Sequence, residues 1–201
     1  MNKQDVRTMN APLLTNRMTC EQFLEWTDAR SVALPCDEPK WELFDGVPEM
    51  QEHETWRHAR SKYRLTRVIE DAIERAGAGL EVGIDGLGVR IASNESYQPE
   101  AVVFPKGLIG DGDRYAPEPV VVVEVLSPST RNKDLRIKVE GYARVASIQH
   151  YLVVDPETNE VLHYRRVGLA LIPDASALTT GTLRLDPPGL VLDVASMLDR
   201  L

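Results

Sequence analysis

The segment VVVVEVLSPST, Val120 to Thr130, sets Glu124 inside an apolar run that reads as a strand buried on both faces. An ionised carboxylate in such a place costs several kcal/mol even after relaxation, so the position calls for a cation or a hydrogen-bonding partner. A second carboxylate of the same kind lies upstream, in QPEAVVF. Strand alternation puts Glu100 on one face with Val102 and Phe104, as it puts Glu124 with Val122 and Leu126. If these strands pair through the loop at 105–119, the two carboxylates converge. Downstream, Lys138 falls within the helical stripe Leu135, Val139, Tyr142 and Ala146. It either snorkels to the edge of its helix or reaches over the sheet toward the glutamates. His58 shares the stripe of Leu65 and Ile69, and Glu42 sits in WELFDG.

The chemistry open to two carboxylates and a lysine in one low-dielectric pocket is that of a hard divalent cation. Mg²⁺ (or Mn²⁺) is held by one or two carboxylates with water and substrate phosphate. Such an ion would offset the burial of Glu124, polarise a phosphodiester and acidify a bound water. A lysine beside it would orient that water or stabilise charge growing on the phosphoryl oxygens. Each residue also has a plainer reading. Glu124 and Lys138 can be a buried ion pair and nothing more, and Glu100 an exposed strand start. His58 can be a satisfied core histidine, and Glu42 an edge-strand charge.

The elements that would carry these residues can be read in order. Residues 1–17 look like a disordered or tag-like lead, and 18–201 like one domain, within the usual ~50–250 residues. Thr19 with Gln22 three positions on forms a capping box before Phe23, Leu24 and Trp26. KWELFDGVPEM reads as two extended segments around an Asp45-Gly46 turn. Residues 57–76 give the clearest helix, with Leu65, Ile69, Ala72 and Ala76 on its apolar side and AGAG as its stop. LEVGIDGLGVRI, PEAVVF and PVVVVEVL each read as one strand. A helix follows over about 132–147, then the strands HYLVVD and VLHYRRV across a turn at 156–159, and GLVLDVASML at the end. The fold class is therefore α/β, with a mixed, mainly antiparallel central sheet flanked by helices.

Composition narrows the field. With 43% hydrophobic and 27% charged residues the chain is ordinary for a globular protein. The longest apolar run, Val120–Val123, is far short of the ~20 residues of a membrane helix, and no secretory signal opens the sequence; a cytoplasmic location is expected. Cys20 and Cys36 offer neither metal spacing nor a disulfide framework. Net charge is −8, against general nucleic-acid affinity, yet ten of the 23 Lys and Arg fall in residues 57–67 and 131–144. A solvated helix face explains those segments as well as a binding groove does. HETWRH has one residue too many for a zinc-protease helix, and His53 and His58 miss a shared face. Ser127 and Ser129 lack a His/Asp pattern, aromatics at 6% are few for sugar stacking, and no Gly-rich phosphate loop is present.

The pieces WELFDG, PE-A-VVF, EVLSPST with Asp134, Lys138 and Tyr142 after it, YLVVDPE and GLVLDVASML occur in the order of a known bacterial family. From about Met18 to Leu198 the chain resembles the Uma-two family of endonucleases, in the PD-(D/E)xK restriction-endonuclease-like superfamily. The resemblance implies a restriction-endonuclease-like core and a Mg²⁺-dependent DNA endonuclease, with a homodimer as its usual form. It implies Glu100 and Glu124 as the metal-holding pair and Lys138 as the lysine displaced onto the following helix. Glu42 and His58 match positions beside the metal, and Asp134 reads as a capping or supporting residue. The family usually has Asp where this chain has Glu100, and the extra methylene forces that carboxylate to retract or tilt. On this reading Arg57, Arg60, Arg64, Arg131 and Lys133 flank the site and track the DNA backbone. The alternatives are a catalytically weakened nuclease-fold protein acting as a DNA-binding or regulatory dimer, and a scaffold in which Glu124–Lys138 is only structural.

Overall fold

The structure, a computed structural model, describes residues 17–33, 39–51, 54–127 and 130–198. Residues 1–16 of the expected 1–17 lead, Cys36, His53, Ser129 and residues 199–201 therefore lie outside the described residues.

Helix α1 (Cys20–Ala33) starts from the expected capping box: Gln22 N–H donates to Thr19 Oγ1 at 3.3 Å and Thr19 N–H to Gln22 Oε1 at 2.9 Å. Strands β1 (Trp41–Phe44) and β2 (Val47–Met50) form a hairpin whose turn residues, Asp45 and Gly46, have φ of 47° and 78°. Positive φ at both positions matches the right-handed twist of the flanking strands and accounts for Asp-Gly here. Helix α2 (Trp56–Ala76) is capped by Thr55, whose hydroxyl accepts from His58 N–H, and closes on left-handed Gly77. Its buried side carries His58, Leu65, Ile69 and Ala72, while Ala76 is exposed.

LEVGIDGLGVRI is two strands, not one. Asp85-Gly86 breaks it into β3 (Leu80–Ile84) and β4 (Val89–Ala92), which join different sheets. Gly86, at φ 87°, makes the corner, and the Asp-Gly pair was the available signal. Strands β5 (Glu95–Tyr97), β6 (Ala101–Pro105) and β7 (Val121–Val125) follow. A π-helical turn, Lys133–Ile137, then leads into α3 (Lys138–Arg144). This helix ends at extended Val145, three residues before the expected limit, so Ala146 sits exposed in a turn. Next come β8 (His150–Asp155), β9 (Glu160–Val167), β10 (Ala170–Pro173), β11 (Thr182–Leu185), β12 (Leu190–Asp193) and the short α4 (Val194–Met197).

The central sheet has the order β10-β9-β8-β7-β6-β3 and is antiparallel except for the parallel β7–β8 pair. That pair is the one joined by a helical crossover, as parallel neighbours require. A smaller sheet, β2-β1-β5-β4, and the β11–β12 hairpin complete the set. Alternation in β7 is realised as read. Val121, Val123 and Val125 pack with Leu65, Ile69 and the β11–β12 hairpin. Val122 and Leu126 face the layer holding Tyr97, Tyr142 and Tyr151. No helix among the described residues is long and apolar enough to cross a membrane.

Candidate active site

The fold brings Glu42, His58, Glu100, Glu124 and Lys138 to one cavity of about 500 Å³. Strands β6 and β7 pair in antiparallel register, and Glu100 N–H, just ahead of β6, donates to Val123 O at 3.0 Å. The two glutamates thus enter the cavity from neighbouring strands. Glu42 comes from β1, His58 from the first turn of α2, and Lys138 from the start of α3.

The inner part of the site is centred on Lys138. Its ammonium lies 2.9 Å from Glu42 Oε1, 2.9 Å from Glu124 Oε1 and 3.2 Å from Asp134 Oδ1, and all four residues are buried. The π-helical turn presents Asp134 and Lys138 together on the inner side, with Lys138 N–H bonded back to Lys133 O. Single π-turns of this kind concentrate at functional sites. Asp134 is thus a direct partner of Lys138, not a cap. Tyr142 donates to Glu124 Oε1 at 2.7 Å, while Gln51 Nε2 and Gln98 N–H donate to Glu42 at 2.7 and 2.8 Å.

Burial alone would lower the lysine's pKa, but Glu124, Glu42 and Asp134 outweigh it and hold it well above the ordinary range. Lys138 is a fixed cation and cannot act as a base near neutrality. Glu124 is pushed well upward, first by burial and then, against the pull of Lys138, by Asp134, Glu42 and Glu100. One ammonium among several buried carboxylates leaves negative charge that only a proton or a further cation can offset.

The outer part is built on a stripe of α2 and the segment before it, Glu54, His58 and Lys62. His58 Nε2 lies 2.8 Å from Val125 O; a carbonyl only accepts, so Nε2 carries a proton, and in the neutral ring Nδ1 is the atom that holds the lone pair. That Nδ1 is buried without a hydrogen-bond partner, 3.6 Å from Glu54 Oε2. Glu100 Oε2 is likewise buried without a hydrogen bond, although Lys62 Nζ is 3.4 Å away. Burial raises the Glu100 pKa against the opposing pull of His58, Lys40 and Lys62. Glu54, His58 and Glu100 each bring one ligand atom within 4.8 Å of the others. A buried carboxylate oxygen and a buried imidazole nitrogen, each without a hydrogen bond and on residues that line one cavity, fit a divalent cation. Around them, Lys62 reaches Glu54 and Asp85 at 2.7 Å each, and Lys40 bonds Glu54 at 2.6 Å and also Asp85. Burial raises Glu54, but hydrogen bonds from the two lysines bring it down to about 2.

Sequence reasoning missed Glu54, Lys62, Lys40 and Asp85. The first two had a signal, because 54, 58 and 62 repeat every four residues and so fall on one helical face. Lys40 and Asp85 had none, since only the tertiary fold brings them near.

The cationic candidates are not gathered around the cavity. Arg57 lines it, exposed at its lip. Arg60 and Arg64 instead line a separate groove with Arg67 and Leu198, and Arg64 donates to Leu198 O at 3.3 Å. Arg131 is paired with buried Asp155 at 2.5 Å. Lys133 pairs with Glu49 and lies 5.1 Å over the Phe44 ring.

A mainly antiparallel α/β sheet that delivers strand-borne glutamates, a helical histidine and a helix-borne lysine to one cavity defines a protein of nuclease-like fold. A solved structure described as "a putative nuclease belonging to DUF820" from Anabaena variabilis superposes with a TM-score of 0.65 at 17% identity, covering 90% of this chain and 97% of that one. The chain belongs to the Uma2 family, described as "Putative restriction endonuclease", whose family model matches residues 20–195. Two uncharacterized proteins of Synechocystis sp. strain PCC 6803 are similar to it. One is 26% identical over 151 residues, 75% of each chain; the other is 29% identical over 115 residues, 55% of this chain and 63% of that one.

Proposed function

We propose that this protein is a divalent-metal-dependent DNA endonuclease, with Mg²⁺ or Mn²⁺ as the ion. The observation that carries the reading is the pair of orphaned buried ligand atoms, Glu100 Oε2 and His58 Nδ1, in a cavity with an excess of carboxylates. Glu100 and Glu124 would hold the ion, with His58 and Glu54 beside it. The ion, when bound, supplies a polarised phosphodiester and an acidified water. Val125 O fixes the tautomer of His58, so its lone pair faces the cavity. Lys138 holds Glu42, Glu124 and Asp134 at fixed spacing and places positive charge where phosphoryl oxygens gain negative charge. Tyr142 keeps Glu124 from rotating away. Arg57 at the lip meets the DNA backbone. Cutting both strands of a duplex symmetrically calls for two such sites, so the active form is assigned as a homodimer.

The test is plasmid cleavage in Mg²⁺ or Mn²⁺ by the full chain and by Glu124→Gln and His58→Ala. Metal-dependent nicking by the wild type, reduced at least about 100-fold in Glu124→Gln, is the expected result. Equal cleavage by both would defeat the assignment. A second reading, a DNA-binding or regulatory dimer with weakened catalysis, is favoured by two features. Glu124 Oε1 already accepts from Lys138 and Tyr142, and Glu100 replaces the shorter Asp of the family pattern. Isothermal calorimetry showing no Mn²⁺ binding, together with retained DNA binding, would select that reading.

A further inference from the structure

Helix α2 shows one side to the catalytic cavity and another, opposite its buried stripe, to solvent. Trp56, Arg60, Tyr63 and Arg67 follow one another at i, i+4, i+7 and i+11 and so share that outer face. Trp56 is 79% exposed and Tyr63 63%, whereas Tyr97, Tyr142 and Tyr151 are fully buried. Residues 57–67 hold five Lys or Arg and no acid, although the chain's net charge is −8. Acids return at once beyond them, as Glu70, Asp71 and Glu74. Arg60, Tyr63, Arg64 and Arg67, with Asp71 at their end, line a groove of about 670 Å³ together with Ser196 and Leu198 of the C-terminal segment. The stripe also has a direction. Its first residue, Trp56, is the chain neighbour of Arg57 at the cavity's lip, and from there the stripe runs about 16 Å along the helix.

We infer that this face binds an unpaired DNA strand leading to or from the catalytic cavity. The inference rests on the nuclease reading for the identity of the polymer and adds the substrate class: DNA with a single-stranded segment beside the cleavage point. Exposed aromatic rings set among arginines match a single strand, whose bases offer open faces for stacking while its phosphates meet the cations. A paired base has both faces covered by its neighbours and offers such rings nothing except at an end. The arginines alone would suit either form; the aromatics select the unpaired one. Trp56 and Tyr63, roughly 10 Å apart along the axis, would take two bases separated by the reach of Arg60.

The test uses the full chain in EDTA, so that cutting does not intervene, and fluorescence anisotropy with labelled oligothymidylate, a duplex of equal length, and heparin. Single-stranded DNA should bind more tightly than the duplex and quench Trp56 fluorescence. Trp56→Ala and Tyr63→Ala should each weaken single-strand binding roughly 5- to 100-fold while leaving heparin binding unchanged. Both side chains are exposed, so unchanged circular dichroism is expected and keeps the comparison interpretable. Arg67→Glu should weaken all three ligands and flatten the salt dependence by about 0.7 log unit per lost phosphate contact. Equal affinity for duplex and single strand, or wild-type affinity in both aromatic variants, would overturn the inference. So would aromatic variants that alter only sedimentation, since the stripe would then face a second copy of the chain. Glu124→Gln separates this claim from the nuclease reading: it should bind the oligonucleotide as the wild type does. Single-strand binding without any metal-dependent cutting would sink the nuclease reading and keep this one; cutting confined to duplex DNA without single-strand affinity would do the reverse.

Discussion

Replacing Lys138 with methionine tests how the buried charges are arranged. Lys138 is 3% exposed and meets Glu42, Glu124 and Asp134, which are 1%, 3% and 1% exposed. Methionine fills similar volume but leaves three carboxylates without their cation. Breaking a buried pair from one side costs about 3–5 kcal/mol, because the remaining charge stays buried. Tyr142, Gln51 and Gln98 still hydrogen-bond Glu124 and Glu42, which places the expected loss near the lower end, about 3 kcal/mol. The sign with pH follows from the same charges. Without Lys138, Glu124, which burial already raises, loses the cation that pulls it down and is raised further in the folded state, so the folded protein binds more protons than the unfolded chain and stability falls as pH rises. The deficit of Lys138→Met should therefore be largest near pH 8 and shrink toward pH 5. Urea unfolding followed by circular dichroism at several pH values measures it, with the midpoint shifting and the slope unchanged. The vacated carboxylates should also bind Mn²⁺ more tightly, so added Mn²⁺ should raise the melting temperature of the variant more than that of the wild type. A variant as stable as the wild type at pH 8, or a deficit that grows on acidification, would refute this account of the site.

Other expectations follow from separate features. His150 is buried, bonded through Nε2 to Pro187 O at 2.8 Å and through Nδ1 to His163 at 2.9 Å, and burial lowers its pKa to about 4. A base depressed in the folded state costs stability as pH falls from about 6.5 to 4, by up to about 3 kcal/mol; His150→Gln should flatten that loss in denaturant titrations. A Cβ on Gly141 would sit 2.5 Å from the Tyr97 ring, so Gly141→Ala should destabilise by about 1–3 kcal/mol, read as a lower urea midpoint. Glu100→Asp, which removes one methylene between the backbone and the carboxylate, should tighten Mg²⁺ relative to Mn²⁺ in calorimetry, because Mg²⁺ is the stricter about geometry.

What the sequence disclosed, and what it withheld, divides along the range of the interactions. The alternation that sorted Glu100 and Glu124 onto one face is a period-2 property of the backbone, and both residues reach the cavity. The capping box at Thr19 and the Asp45-Gly46 turn are equally local and were equally readable. The ambiguity of Lys138 between solvent and interior resolved inward because three carboxylates from β1, β7 and the π-turn meet there, and no spacing rule carries that information. The same limit applied to the arginines. Their 3–4 spacing gave one face of α2 but not what lies across from it, and Arg60 and Arg64 turned to the C-terminal segment. Asp155 and Glu49, which engage Arg131 and Lys133, are 24 and 84 residues away in the chain. Strands β5, β10 and β11 were overlooked because three or four residues give too short a period to recognise.

The wide turn at Lys133–Ile137 contains one residue more than an ordinary helical turn would need over the same rise. Removing a residue between Asp134 and Lys138 would let the segment relax into an ordinary turn, but it would leave the two three positions apart instead of four and turn one side chain relative to the other about the axis. Asp134 and the ammonium could then no longer point at the same spot. A protein of this design is thus exposed to loss of its charged centre through a single codon deletion that spares every chemically active residue.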